Sequence, residues 1–122
     1  MITIAHRNLA EIALLDVTGR MTGEAGSHFV AVASNQIVEL GTRKMVLNLK
    51  QLDQCDSMGI GALLRIHTSL TNMGGKVVLC NLCDLVAKVF ALTHVDEVLH
   101  ITDTEEEALA ELGVSELLIH EA

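Results

Sequence analysis

Apolar and polar residues alternate along this chain in two periods, and the change from one to the other marks out its elements. Two short apolar stretches open it, Ile2–Ala5 and Glu11–Val17, joined by Arg7-Asn8-Leu9, and together they predict a hairpin. Thr18-Gly19-Arg20 is expected to end the second strand. A helical period follows from Glu24 to Leu40, with Phe29, Ala33, Ile37 and Leu40 on one face and Gly41 at the stop. Lys44–Leu49 is a continuous apolar run suited to a strand covered on both faces. The segment Lys50–Asp56 reads as a loop, and a second helix is predicted over Ser57–Met73 with Leu63, Ile66, Leu70 and Met73 inward. Gly74-Gly75 ends it, and Lys76–Cys80 is the next buried strand. A third helix over Asp84–Thr93 should bury Val86, Val89 and Phe90. A short strand over Glu97–Ile101 and a last helix over Thr104–Glu111 complete the pattern.

Strands that alternate with helices predict an α/β domain with a largely parallel sheet of about five strands and four helices. The hairpin adds an antiparallel N-terminal edge strand. At 122 residues, one domain over 1–122 is expected. Hydrophobic residues make up 50% of the chain, enough for a core without staples, and the only aromatics are Phe29 and Phe90, so that core is aliphatic. Proline is absent, which argues against Pro-rich linkers.

The net charge of −8 argues against a basic nucleic-acid-binding face and against docking on an anionic membrane. Its placement changes that picture. Residues 1–95 are near neutral, with seven acids against eight bases, whereas residues 96–122 hold nine acids and no Lys or Arg. Thr104 and Glu107 have the spacing of a capping box, with Glu105 and Glu106 at the positive helix end. The N-terminal stretch is broken by His6, Arg7, Asn8, Glu11 and Asp16, so it does not read as a signal segment. No apolar run approaches a membrane span, and three cysteines make a poor disulfide framework. A cytoplasmic protein is the expectation.

Most candidate chemistry has an ordinary explanation. Cys80-Asn-Leu-Cys83 lacks the second pair of a metal site, since Cys55 is distant and His94 is the nearest further ligand. Cys80 as the end of a buried strand explains it better. The six histidines show no metal-ligand spacing, and His67 falls beside the inward stripe of the second helix. Gly59-Ile60-Gly61 lacks the third glycine of a dinucleotide fingerprint, and there is no phosphate-binding loop of the Walker type. Nothing supports an enzyme, a metal or a cofactor.

The segment Asp53–Leu63 is different. Ser57 opens the best helix in the chain, where a serine serves as an N-cap. Gly59 and Gly61 cost about 1 kcal/mol each relative to Ala, so something approaches closely, either the protein's own sheet or a partner. A phosphate on Ser57 would sit beside unpaired N–H groups and add about −1.5 to −2 of charge to a nearly neutral surface. Met58, Ala62, Arg65, Ser69 and Asn72 form the outward stripe, which serves equally as a solvent face or as a partner surface.

Asp56-Ser57-Met58-Gly59-Ile60-Gly61-Ala62-Leu63 resembles the signature of STAS domains of the anti-sigma factor antagonist type. Val17–Thr22, Met45–Asp53, Gly74–Asn81, Leu92–Ile101 and Thr104–Leu109 resemble further family segments in the right order. The resemblance implies a single STAS domain that binds an anti-sigma factor serine kinase in a partner-switching pathway. The kinase brings ATP, phosphorylates Ser57 and dissociates, and a serine phosphatase resets the cycle, so that sigma-factor-dependent transcription is regulated. Asp56, Met58, Gly59, Ala62, Arg65, Ser69 and Thr22 are the partner-binding residues it implies, with no cofactor, no nucleic acid and no membrane. Two other readings remain: a non-phosphorylated scaffold subunit of a transporter or stress-sensing complex, and a small-ligand or nucleotide sensor with an anion pocket at Ser57.

Overall fold

The computed structural model of the protein describes residues 1–114. Glu116, His120 and Glu121, the last part of the acidic stretch, lie outside the described residues. The elements in order are β1 (Ile2–Leu9), β2 (Ile12–Met21), α1 (Ala25–Val38), β3 (Lys44–Asn48), β4 (Leu52–Cys55), α2 (Ser57–Asn72), β5 (Lys76–Cys80), α3 (Asp84–Leu92), a 3-10 turn at Val95–Glu97, β6 (His100–Thr102) and α4 (Glu105–Glu111). The sheet runs β1-β2-β3-β5-β6, with β4 also against β2; β1 and β2 are antiparallel and every other pair is parallel. This is the expected mixed α/β architecture, with six strands where about five are predicted.

The hairpin turns later than its pattern suggests. Arg7, Asn8 and Leu9 belong to β1, and Leu9 pairs with Ile12 across Ala10-Glu11, with Ala10 at φ 54. β2 also continues through Thr18-Gly19-Arg20, where the register shifts by a bulge between Gly19 and Arg20. That extension matters, because Gly19–Met21 pair with β4. β4 is a strand where a loop is expected: only Leu52 and Cys55 at its ends are buried, so it shows no alternation.

Every face of the sheet is used. On one face Leu15, Val17, Met45, Leu47, Val77 and Leu79 pack under α1, α2 and α3, where Phe29, Ile37, Leu63, Ile66, Val86 and Phe90 are buried. On the other face Ile12, Leu14, Val46, Val78 and Cys80 lie under Ala108, Leu109 and Leu112 of α4 and its end. The core is aliphatic as expected, and each large side chain fully withdrawn from water contributes about 1.5–3 kcal/mol. Leu40 and Met73, expected inward, are exposed because each lies past the last turn of its helix. Val89 is half-buried rather than buried. The strand expected from Glu97 begins at His100, because Val95–Glu97 wind into a 3-10 turn that buries Val95.

The acidic end finds local partners. Thr104 caps α4 in a full capping box: the Glu107 N–H donates to Thr104 Oγ1 at 3.2 Å, and the Thr104 N–H donates to Glu107 Oε1 at 3.1 Å. Arg7 of β1 donates to Asp16 at 2.7 and 2.8 Å and also pairs with Glu105, which also accepts from Asn48 Nδ2 at 3.2 Å. Asp16, then Glu105, hold the Arg7 guanidinium above its ordinary pKa. Among the described residues no helix is long and apolar enough to cross a membrane.

Candidate functional site

β4 is short, and its end delivers Asp56 and Ser57 to the same end of the sheet as the end of β2. Asp56, and not Ser57, is the N-cap of α2. Its backbone is extended, and Oδ1 accepts from the Gly59 N–H at 2.9 Å. Asp is as good a cap as Ser, and with its carboxylate oxygens it accepts two bonds at once. The second comes from the loop after β2, where the Gly23 N–H donates to Oδ2 at 2.9 Å. The Asp56 N–H in turn donates to the Met21 carbonyl at 3.3 Å. Asp56 therefore clasps the Thr22–Glu24 loop to the start of α2. These two N–H groups, Gly23 first, hold its carboxyl below the usual carboxylate range. The sequence signal for this cap is an Asp, a preferred N-cap residue, directly before the helical period.

The two glycines have different reasons. A Cβ on Gly59 would lie 2.2 Å from the Met21 carbonyl oxygen and 2.9 Å from Cys55 Sγ. The close approach at Gly59 is thus the protein's own sheet. A Cβ on Gly61 would meet nothing within 4 Å.

With the cap assigned to Asp56, Ser57 is the first helical residue and is exposed. Met58 beside it is 57% exposed. Arg65 and Ser69 are exposed on the same helix, about 12 and 18 Å further along its axis than Ser57. Ala62 departs from the expected outward stripe: it is buried against α1, with its Cβ 3.2 Å from the place a Cβ on Gly26 would take. Gly59 is buried as well. These two let the helices and sheet close up beneath the surface that Ser57, Met58, Arg65 and Ser69 present.

Thr22 lies half-buried across from Asp56, and the two share a slot of about 240 Å³ with Gln54, Cys55, Leu85 and Val89. Leu85 is 54% exposed. The slot was not anticipated, although Leu85 stands on α3 one residue off the buried Val86 and so was open to reading as a surface apolar residue. Burial, with the Asp56 charge adding to it, pushes the Cys55 thiol up to about 12. Burial does the same for Cys80, also to about 12. Cys83 donates to the Leu52 carbonyl at 3.3 Å. All three cysteines are free, and among the described residues no three His, Cys, Asp or Glu come together as a metal site. His67 is half-buried with its ring 5.7 Å from that of His100, and its Nδ1 is buried without a hydrogen-bond partner.

The site is thus an exposed serine at the start of a helix, next to an aspartate that clasps the Thr22–Glu24 loop to that helix. The sequence and the fold are similar to those of known proteins. The family model of the STAS domain matches residues 3–108. A Thermotoga neapolitana protein, provisionally named an anti-sigma factor antagonist homologue, is 30% identical over 107 residues, covering 88% of this chain and 95% of its own. The anti-sigma F factor antagonist of Paenibacillus polymyxa is 29% identical over 99 residues, 78% of this chain and 85% of that one. The Bacillus cell fate determinant SpoIIAA, solved in its phosphorylated form, shares the fold with a TM-score of 0.69 at 22% identity, over 90% of this chain and 99% of that one. The chain belongs to the STAS domain family and, within it, to the anti-sigma factor antagonists.

Proposed function

We propose that this protein binds an anti-sigma factor that is also a serine kinase, and that phosphorylation of Ser57 releases it, so that sigma-factor-dependent transcription is regulated. The observation that carries the reading is the exposure of the Ser57 hydroxyl at the first position of α2, next to a cap that is already satisfied by Asp56. Because the cap does not depend on Ser57, its hydroxyl is available to a partner without cost to the helix. Thr22, Asp56, Met58, Arg65 and Ser69 form the docking surface around it, and Gly59 and Ala62 support that surface from below.

In this scheme the chain is a substrate and not a catalyst. The serine oxygen bonds to the γ-phosphorus of ATP held with Mg²⁺ by the kinase, ADP leaves, and the hydroxyl proton passes to a base on the kinase. The product carries about −1.5 to −2 of charge directly beside the Asp56 carboxylate. Two like charges placed at a docking surface disfavour rebinding of a partner that fitted the neutral hydroxyl. A serine phosphatase hydrolyses the ester and restores the binding form. The protein acts in the cytoplasm, where kinase and sigma factor are, as one STAS domain with no cofactor of its own.

Incubation with the cognate kinase and ATP should add one phosphate to the wild type and none to Ser57→Ala. Mapping of the phosphate to another residue overturns the assignment. Ser57→Asp should fold normally and fail to retain the kinase in a pull-down; retention equal to wild type overturns the switch. Native mass spectrometry of the protein from its own cells reads partner and phosphate together.

A further inference from the structure

The end of the sheet farthest from β1 is bordered by a cleft that plays no part in the surface around Ser57. β6 pairs with β5 alone, through Val78 with His100, Leu79 with Ile101 and Cys80 with Thr102. It is the terminal strand of the sheet, and among the described residues no strand pairs with its outer side. Residues 99–103 line one side of a cleft of about 570 Å³, and Asp84, Ala87 and Phe90 of α3 line the other. An open strand edge presents alternating N–H and C=O groups, which an extended peptide satisfies by adding a strand.

Charge selects the kind of peptide. Asp84, Asp96, Asp103 and Glu111 all line the cleft, and no Lys or Arg does. Glu111 meets Lys76 at 3.5 Å, whereas Asp84, Asp96 and Asp103 make no ion pair among the described residues. These carboxylates do not converge on one point, since no three ligand-type residues come together there as a metal site. Acids spread around the cleft, from the start of α3, the 3-10 turn, the residue after β6 and the end of α4, suit a linear polycation instead. We infer that the β6 edge and its cleft dock an extended Lys- and Arg-rich segment of a partner protein, which adds a strand beside β6.

A second copy of this chain does not fit the groove. Its eight Lys and Arg are scattered, with Arg43-Lys44 the only adjacent pair. Acids around a cleft beside an open edge also keep copies with the same acidic cleft apart while admitting a basic strand, so affinity and discrimination come from one set of side chains. A polyamine meets the charges but offers no acceptors to the edge N–H groups. The surface is separate from that around Ser57, because α3 stands between them: Asp84 and Ala87 face this cleft, and Leu85 and Val89 face the slot at Asp56.

The probe is a labelled peptide of about ten residues alternating Lys and Val, titrated at low salt by fluorescence anisotropy and by amide NMR. Binding should shift the amides of His100–Asp103. The triple variant Asp84→Asn, Asp96→Asn, Asp103→Asn should weaken it about tenfold, the scale of three exposed ion pairs. Ser57→Ala should bind as wild type does, which keeps this surface distinct from the proposed switch. A peptide N-methylated at alternate residues should bind at least about tenfold more weakly, because it cannot pair with the edge. The inference is overturned if residues 100–103 do not shift or if the triple variant binds unchanged. Equal binding by spermine or by the N-methylated peptide overturns it too, because either outcome leaves a charge patch and no added strand.

Discussion

Gly59 and Gly61 stand two residues apart on one helix, and replacing each with alanine should move stability in opposite directions. Alanine is better than glycine inside a helix by about 1 kcal/mol, so both substitutions start from the same gain. At Gly61 nothing lies within 4 Å of the added methyl, and the gain is kept. At Gly59 the methyl would meet the Met21 carbonyl oxygen at 2.2 Å. That atom belongs to the backbone of β2, where Met21 pairs with Cys55 of β4 and its carbonyl accepts from the Asp56 N–H, so it cannot rotate away as a side chain would. Overpacking of this kind costs about 3 kcal/mol, at the upper end of the usual range. The net effect is a loss of about 2 kcal/mol for Gly59→Ala and a gain of about 0.5–1 kcal/mol for Gly61→Ala. For a chain of this size, 1 kcal/mol moves Tm by about 4 °C. Calorimetry should therefore find Gly59→Ala melting about 8 °C lower and Gly61→Ala about 2–4 °C higher. If Gly59→Ala melts at or above the wild type, the contact between α2 and β2 is not what requires glycine there.

Three further outcomes follow from the ionisable groups. Asp56 has a folded pKa below its unfolded value near 3.9, so it adds stability above that value which is lost as pH falls through the folded pKa. The Tm difference between wild type and Asp56→Asn should be constant above about pH 5 and shrink below about pH 4; a difference independent of pH contradicts the clasp. His67 has its pKa lowered by burial and, to a lesser degree, by the nearby His100. Stability from the neutral ring is full above about pH 6.5 and is lost as pH falls toward the folded pKa, and His67→Gln should flatten that fall in a series of melts. The thiols of Cys55 and Cys80, both pushed up to about 12, should resist a thiol reagent at pH 8, leaving one fast site at Cys83 and three after denaturation. Fast labelling of all three in the native protein contradicts their burial.

Much of the fold is written in the hydrophobic pattern from Lys44 onward, where β3, α2 and β5 follow in turn, with Gly74-Gly75 between the last two. These strands are covered on both faces, so they read as unbroken apolar runs. β4 was illegible for the opposite reason: its role is to pair with the end of β2, and backbone pairing leaves no mark in side chains. The same limit applies to the hairpin, whose turn at Ala10-Glu11 carries none of the Gly or Asn residues that signal positive φ. At the site, Ser57 was visible through its motif. Asp56 was visible as a neighbour, but its bond to Gly23 joins residues 33 apart in sequence and emerges only in three dimensions. Ala62 falls at an outward position by helical period, yet α1 crosses just there through Gly26, so small size marked a helix crossing and not an exposed stripe.

The two faces of the sheet are unequally guarded, and this sets where the molecule opens first. Three helices cover one face, whereas among the described residues the seven-residue α4 alone covers the other. α4 rests on a small cluster, its capping box and the half-exposed Arg7 pair. Loss of that helix would expose Val46 and Val78 while leaving the larger core, with the clasp at Asp56, intact. Amide exchange should therefore divide the chain into two cooperative units, with α4 releasing its protons at a free energy well below that of global unfolding. The end of the sheet that carries Ser57 belongs to the slower unit and stays ordered through such openings.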